Sequence, residues 1–159
     1  MKILLDTTYL LPLIGISIEE IPDEMILELI NRGYKLFINY VTLFELAAKG
    51  AKYISMGKLS LERVVKGIIA IVHDERVVKI NIESFDTLYT SFKLRRYLRD
   101  YIDCLIVATA LHYCDILLTE DDTLLKISES TWFKEIKERL NPELKVMNYK
   151  TFKRNQELS

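Results

Sequence analysis

The sequence predicts an α/β fold with a mostly parallel sheet of about five strands, enclosed between layers of helices as a three-layer α/β/α domain. Two observations predict it. Short apolar runs recur at 2–5 (KILL), 35–39 (KLFIN), 77–80 (VVKI), 115–118 (DILL) and 144–147 (LKVM), each of strand length. Longer segments with helical spacing separate them, and strands that alternate with helices form a parallel sheet with helical cover. A chain of 159 residues, 50% of them apolar, buries one sizeable core and is short for two. Residues 1–152 therefore read as one domain, and 153–159 as a polar, frayed C-terminal tail.

Each element has its own justification. The opening MKILLDTTYLLPLIG reads as a buried strand followed by a helix. Residues 22–32 (PDEMILELINR) place Met25, Leu29 and Ile30 on one face and stop at Gly33, a common helix terminator. Residues 42–56, 60–72, 83–99 and 102–113 share the helical pattern, with short links such as Gly57 and Asn81. Four of the five strands have the apolar character of buried strands, and the last is more mixed. Pro12, Pro22 and Pro142 fall near element ends, and neither a repeat nor a low-complexity segment interrupts the chain.

Composition narrows the function classes. A formal charge of −1 gives no global attraction to nucleic acid or an anionic membrane, so any phosphate-binding surface is local. No run approaches the roughly 18 uninterrupted apolar residues of a membrane span. Asp6 breaks the N-terminal apolar stretch and no small-residue cleavage site follows, so a soluble protein is expected. Cys104 and Cys114 lie on one expected helix about 15 Å apart, too far for a disulfide. Two unpaired thiols suit a cytoplasmic location, and each reads as a small core hydrophobe.

In an open parallel sheet, ligands bind beyond the carboxyl ends of the strands, and that rule selects the acids. Asp6 follows the first strand in LLDTTYLL, where an isolated carboxylate is costly unless its charge is compensated. Asp121 follows the strand DILLT. Glu45 lies in the first turn of the helix after the second strand, and Asp103 in the first turn of YIDCLIVATALHY. All four can converge on one sheet edge. Structural roles compete for each: Thr42-Leu-Phe-Glu45 fits a capping box, Asp100-Tyr-Ile-Asp103 a weaker one, and Asp121 with Asp122 can cap a short helix. Only the joint pattern favours chemistry.

That joint pattern resembles the PIN-domain family over nearly the whole chain, from ILLDTTYLL through LKVM. The most specific stretch is DCLIVATALHYCDILLTED, which looks like an Asp opening a helix of small residues, then a short strand ending in Thr-x-Asp. Asp6 with Thr7 is similar to the family's first motif, Glu45 in TLFELA to the second, Asp103 to the third, and Thr119 with Asp121 to the last. Leu124 and Leu125 stand where an aromatic often closes the last motif, and the chain is longer than minimal members around residues 50–75. The resemblance implies a PIN-like fold, a metal-dependent ribonuclease, and Asp6, Glu45, Asp103 and Asp121 as catalytic and metal-binding residues. It divides between a VapC-type toxin restrained by a small antitoxin protein, favoured by the small size, and a housekeeping RNA-processing nuclease. A homodimer or higher oligomer is also expected.

The chemistry follows from the residue types. Crowded carboxylates repel and hold protons unless a cation joins them. Oxygen-only ligands favour hard ions, Mg²⁺ or Mn²⁺, over zinc. Such an ion lowers the pKa of a bound water and stabilises charge on a departing oxygen. Thr7 and Thr119 are candidates to hydrogen-bond a ligand carboxylate or the attacking water. Arg95, Arg96 and Arg99 are candidate phosphate contacts, with Arg95 and Arg99 expected on one helix face. Tyr97 and Tyr101 can stack on bases, although core packing is the favoured reading. His112 is expected to face solvent opposite Asp103, and His73 to sit at a helix end.

Two readings of other classes remain. A receiver-like signalling domain also carries an acid after a first strand, but it needs an acidic pair there, and Thr7 and Thr8 follow Asp6 instead. A non-catalytic PIN-like scaffold that binds RNA or protein is the other, against which the complete set of acids argues.

Overall fold

The structure, a computed structural model, describes residues 1–157. Strands β1 (Lys2–Leu5), β2 (Lys35–Asn39), β3 (Val77–Ile80), β4 (Ile116–Leu118) and β5 (Lys145–Met147) form one sheet in the order β3-β2-β1-β4-β5. Every pairing is parallel, with Leu4 opposite both Phe37 and Leu117. The chain leaves β1 for β2 on one side and later returns to place β4 on the other. The strand order therefore reverses at β1, and the crevice at the carboxyl ends of β1 and β4 is the topological switch point.

Alternation along β1 separates two cores, as a period of two requires. Ile3 and Leu5 join Tyr9, Leu36, Ile38 and Leu46 on one face, whereas Leu4 joins Leu117, Cys104, Leu111 and Phe133 on the other. Helices α1 (Met25–Asn31), α2 (Tyr40–Ser55), α3 (Leu61–His73) and α8 (Tyr149–Glu157) supply residues to the first core. Helices α4 (Phe85–Leu94), α5 (Tyr101–Tyr113), α6 (Asp122–Ile127) and α7 (Thr131–Leu140) complete the second face. The three layers match the predicted architecture.

Two helices fix the site. In α5, every residue from Cys104 to Leu111 is buried, as expected of a helix apolar on all sides. Beyond β1, residues Thr7–Ile14 form a 3₁₀ helix rather than an α-helix, with Pro12 inside it. Helix α3 lies so close to it that a Cβ on Gly67 would stand 2.2 Å from the Leu13 carbonyl oxygen. Only glycine permits that approach.

Several expectations change. The helix expected over 83–99 ends at Leu94, and 95–97 form a turn. Leu94 and Leu98 are both buried, so an i, i+4 apolar pattern persists across the break and hides it from the sequence. The tail is not frayed through Glu157. Its residues continue α8, which is anchored by buried Phe152 and by a 2.7 Å hydrogen bond from the Tyr34 hydroxyl to Gln156 Oε1; residues 158–159 lie outside the described part. His112 is half-buried under α4, with Nε2 2.8 Å from Thr90 Oγ1, rather than facing solvent. His73 closes α3 as expected. Cys104 and Cys114 are both buried and free, and burial pushes the Cys114 thiol up to about 12.

Candidate functional site

Asp6 is the hub. It follows the central strand, and its own N–H extends the β1–β4 ladder by donating to the Leu118 carbonyl at 3.0 Å. Its carboxylate is buried, with Oδ1 accepting from the Thr7 amide and Oδ2 from the Thr119 hydroxyl, both at 2.7 Å. The Thr7 hydroxyl in turn donates to Glu45 Oε2 on α2. Thr119 Oγ1 accepts from the Asp121 amide at 3.1 Å. A continuous chain of hydrogen bonds thus runs from Glu45 through Thr7, Asp6 and Thr119 to Asp121 across the switch point.

Asp103 completes the group through charge rather than through hydrogen bonds. Burial pushes its carboxyl up to about 7, assisted by the negative charges of Asp100, Asp121, Asp6 and Glu45. Asp6 is also raised, chiefly by burial. The bonds from Thr119 and Thr7 oppose that shift, Glu45 adds to it, and Lys49 lowers it. Asp103 therefore feels the charge of each of the other three predicted acids, and Asp6 that of Glu45.

The competing structural roles divide between them. Helix α2 begins at Tyr40, three residues earlier than a Thr42 cap requires, and the Asn39 side chain caps it by accepting from the Val41 amide. Thr42 Oγ1 is buried without a hydrogen-bond partner, and Glu45 turns to Thr7; there is no capping box. Asp100 caps α5 by accepting from the Ile102 amide at 2.8 Å, and Asp103 makes no return bond. Asp121 does cap α6: Oδ1 accepts from Thr123 at 2.7 Å and Leu124 at 3.1 Å, which leaves Oδ2 for other work.

The basic run does not form one helical face. Arg95, Arg96 and Arg99 are all exposed, but Arg95 folds back, its Nη1 donating to the Leu98 carbonyl at 2.8 Å to close the turn. Tyr101 stacks on Phe92, with its hydroxyl 3.0 Å from Ser91 Oγ, and so follows the packing reading. Tyr97 stacks instead on Trp132.

Several contributors escaped the sequence reading. Asn39, at the carboxyl end of β2, donates from Nδ2 to Thr109 Oγ1 at 2.7 Å and ties the sheet edge to α5. It obeys the strand-end rule that selected Asp6, but an amide carries no charge to attract notice. Lys49 follows Glu45 by one helical turn, a spacing visible in the sequence. Glu120 is engaged by other partners, accepting from the Tyr9 hydroxyl at 2.6 Å and the Tyr149 amide at 3.1 Å. Only the fold brings those three segments together.

Among the described residues, no group of three or more His, Cys, Asp or Glu side chains is arranged to enclose a metal ion. The chemistry of the donor set nevertheless fits a hard divalent cation. The donors are all oxygen, neighbouring acids help to raise Asp6 and Asp103, and among the described residues Asp121 Oδ2 and the Asp103 carboxylate hold no hydrogen bond.

Acids gathered at the switch point of a parallel sheet, around a buried Asp, define an α/β domain with an acidic centre at the strand ends. The PIN-domain model matches residues 3–130, and the chain belongs to the PIN-domain family, whose nucleases generally use divalent metal ions. Among solved structures, the chain is similar to one from the crystal structure of VapBC2 from Rickettsia felis bound to a DNA fragment from their promoter. That similarity has a TM-score of 0.56 and 19% identity, covering 92% of this chain and 98% of the other. Comparison with curated proteins returns no significant match.

Proposed function

We propose that this protein is a Mg²⁺- or Mn²⁺-dependent endoribonuclease, with Asp6, Glu45, Asp103 and Asp121 as metal-binding and catalytic residues. The observation that carries the reading is the hydrogen-bonded chain from Glu45 to Asp121 through the buried Asp6 carboxylate. It holds carboxylates from β1, α2 and the β4–α6 junction at one sheet edge. When bound, the cation supplies an activated water and charge stabilisation for the departing oxygen. Asp6 is oriented by Thr7 and Thr119, so its position is set before ligand arrives. Glu45, Asp103 and Asp121 present further oxygens, and Arg96 and Arg99 offer positive charge for backbone phosphates.

We assign it the role of toxin in a toxin–antitoxin pair, acting in the cytoplasm as a homodimer or larger assembly and restrained by a small antitoxin protein. Support comes from the fold shared with the VapBC2 structure along nearly the full length of both chains. Two free thiols accord with a reducing compartment, and among the described residues no helix is long and apolar enough to cross a membrane.

Cleavage of RNA with Mn²⁺, with excess EDTA, and by Asp6→Asn tests the enzyme reading. Activity that persists in EDTA sinks it. Expression of the chain alone tests the toxin role: growth arrest supports it, whereas normal growth with competent enzyme points to housekeeping RNA processing.

A further inference from the structure

Outside the acidic centre, α4, α5 and α7 enclose a cleft of about 450 Å³, within the range of roughly 300–1,000 Å³ typical of small-ligand sites. Its lining joins two chemistries. Tyr97 and Trp132 stack with ring planes 2° apart and centroids separated by 4.5 Å, and Tyr97 remains 50% exposed. Beside them stand Lys93, Arg96 and Arg139. Among the described residues, none of these cations pairs with a carboxylate; Lys93 lies 4.2 Å from the centroid of the Tyr89 ring. Asp86 and Glu135 share the lining, so three cations face two acids in a chain whose net charge is −1.

Unpaired cations around a concave aromatic surface suit a ligand that is flat at one end and anionic at the other. A bare phosphate has no use for the ring pair, and an apolar segment none for the arginines. A nucleotide uses both: its base stacks on an aromatic face while guanidinium groups hold its phosphate. Position adds to the argument. Arg96 and Tyr97 belong to the turn that leads into Asp100, the cap of α5, whose first turn carries Asp103. The turn thus joins the cleft lining to the start of α5 within a few residues of the chain.

We propose that this cleft is an exosite for one nucleotide unit of single-stranded RNA, its base against the Tyr97–Trp132 pair and its phosphate on Arg96 and Arg139. The choice of RNA rests on the ribonuclease reading above. Trp132 is the only tryptophan of the chain, so its fluorescence reports the cleft directly. The full-length protein is titrated in EDTA with a short oligoadenylate and, separately, with AMP. The oligonucleotide should quench Trp132 and bind more tightly than AMP. The double variant Arg96→Gln/Arg139→Gln should weaken binding at least about tenfold and reduce the log–log salt slope by roughly 0.7, the value for the one lost single-strand phosphate contact. Tyr97→Leu should weaken binding about tenfold while keeping the slope, because stacking is worth roughly 1–3 kcal/mol per base. Melting temperatures near the parent value establish that the variants fold. An unquenched Trp132 overturns the exosite, and AMP binding as tightly as the oligonucleotide overturns its assignment to a strand. Without metal these readouts do not depend on cleavage. Mn²⁺-dependent cleavage with a silent Trp132 rejects the exosite alone, and quenching without any cleavage rejects the ribonuclease reading alone.

Discussion

Thr119 donates its hydroxyl to Asp6 Oδ2 at 2.7 Å, joining the carboxyl ends of β1 and β4 with a side-chain bond between neighbouring strands. The same hydroxyl oxygen accepts from the Asp121 amide, so one small residue orients two acids.

Thr119→Val should expose what that bond does. The substitution keeps the shape but leaves buried Asp6 short of a donor, a loss typically of about 1–3 kcal/mol. Since the Thr119 bond holds the Asp6 carboxyl down against burial, its pKa should rise further. Denaturant melts should show the lost stability and cleavage should fall. Thr119→Ser should restore both, and a Val variant with parental stability and rate would remove Thr119 from this role.

Asp103→Asn separates a crowded acid from a helix-stabilising one. At low pH the Asp103 carboxyl is protonated in both folded and unfolded chains. As pH rises from the ordinary 3.8 towards about 7, the unfolded chain releases the proton first, so metal-free stability should fall across that window. The Asn variant should be flatter across it and, at neutral pH, as stable as the parent or more so, with activity and the Mn²⁺-induced rise in melting temperature both reduced. If Asp103 only serves the helix dipole, the variant instead loses about 0.3–1 kcal/mol and stays active.

The second acid is tested through its neighbour on α2. Thr42 Oγ1 is buried and unpartnered, so Thr42→Val should be neutral or stabilising, within about 1 kcal/mol, and fully active. Glu45→Gln should keep the fold and lose most activity. Clear destabilisation by Thr42→Val, measured by thermal melts, would restore the capping role that the structure assigns to Asn39.

Arg95 should behave unlike the other arginines of its run. Its guanidinium closes the turn at Leu98, so Arg95→Gln should lower stability by about 0.5–1.5 kcal/mol and leave the salt dependence of RNA binding unchanged. Arg99→Gln should do the reverse. Equal salt slopes lost by both variants would return Arg95 to the phosphate-binding surface.

Much of this protein was legible in one dimension. Strand length, apolar continuity and the intervening helical spacing predict the sheet, because backbone geometry imposes its periods on the sequence. Asp6 directly after KILL and Asp121 one residue beyond DILLT mark the sheet edge, because a carboxylate beside buried strands is costly without a partner. Motif spacing also singled out Glu45 and Asp103. What the chain could not reveal on its own was which structural role each acid also bears. Glu45 and Asp121 both fit caps by spacing, yet Glu45 is released by Asn39 and engaged by Thr7, whereas Asp121 remains a cap. The break after Leu94 was hidden because Leu98 keeps the helical interval, and the stack of Tyr97 on Trp132 joins segments whose sequence separation carries no signal. Local spacing governs which elements form; the partners of a side chain depend on distant segments that meet only when the sheet and its two helical layers close.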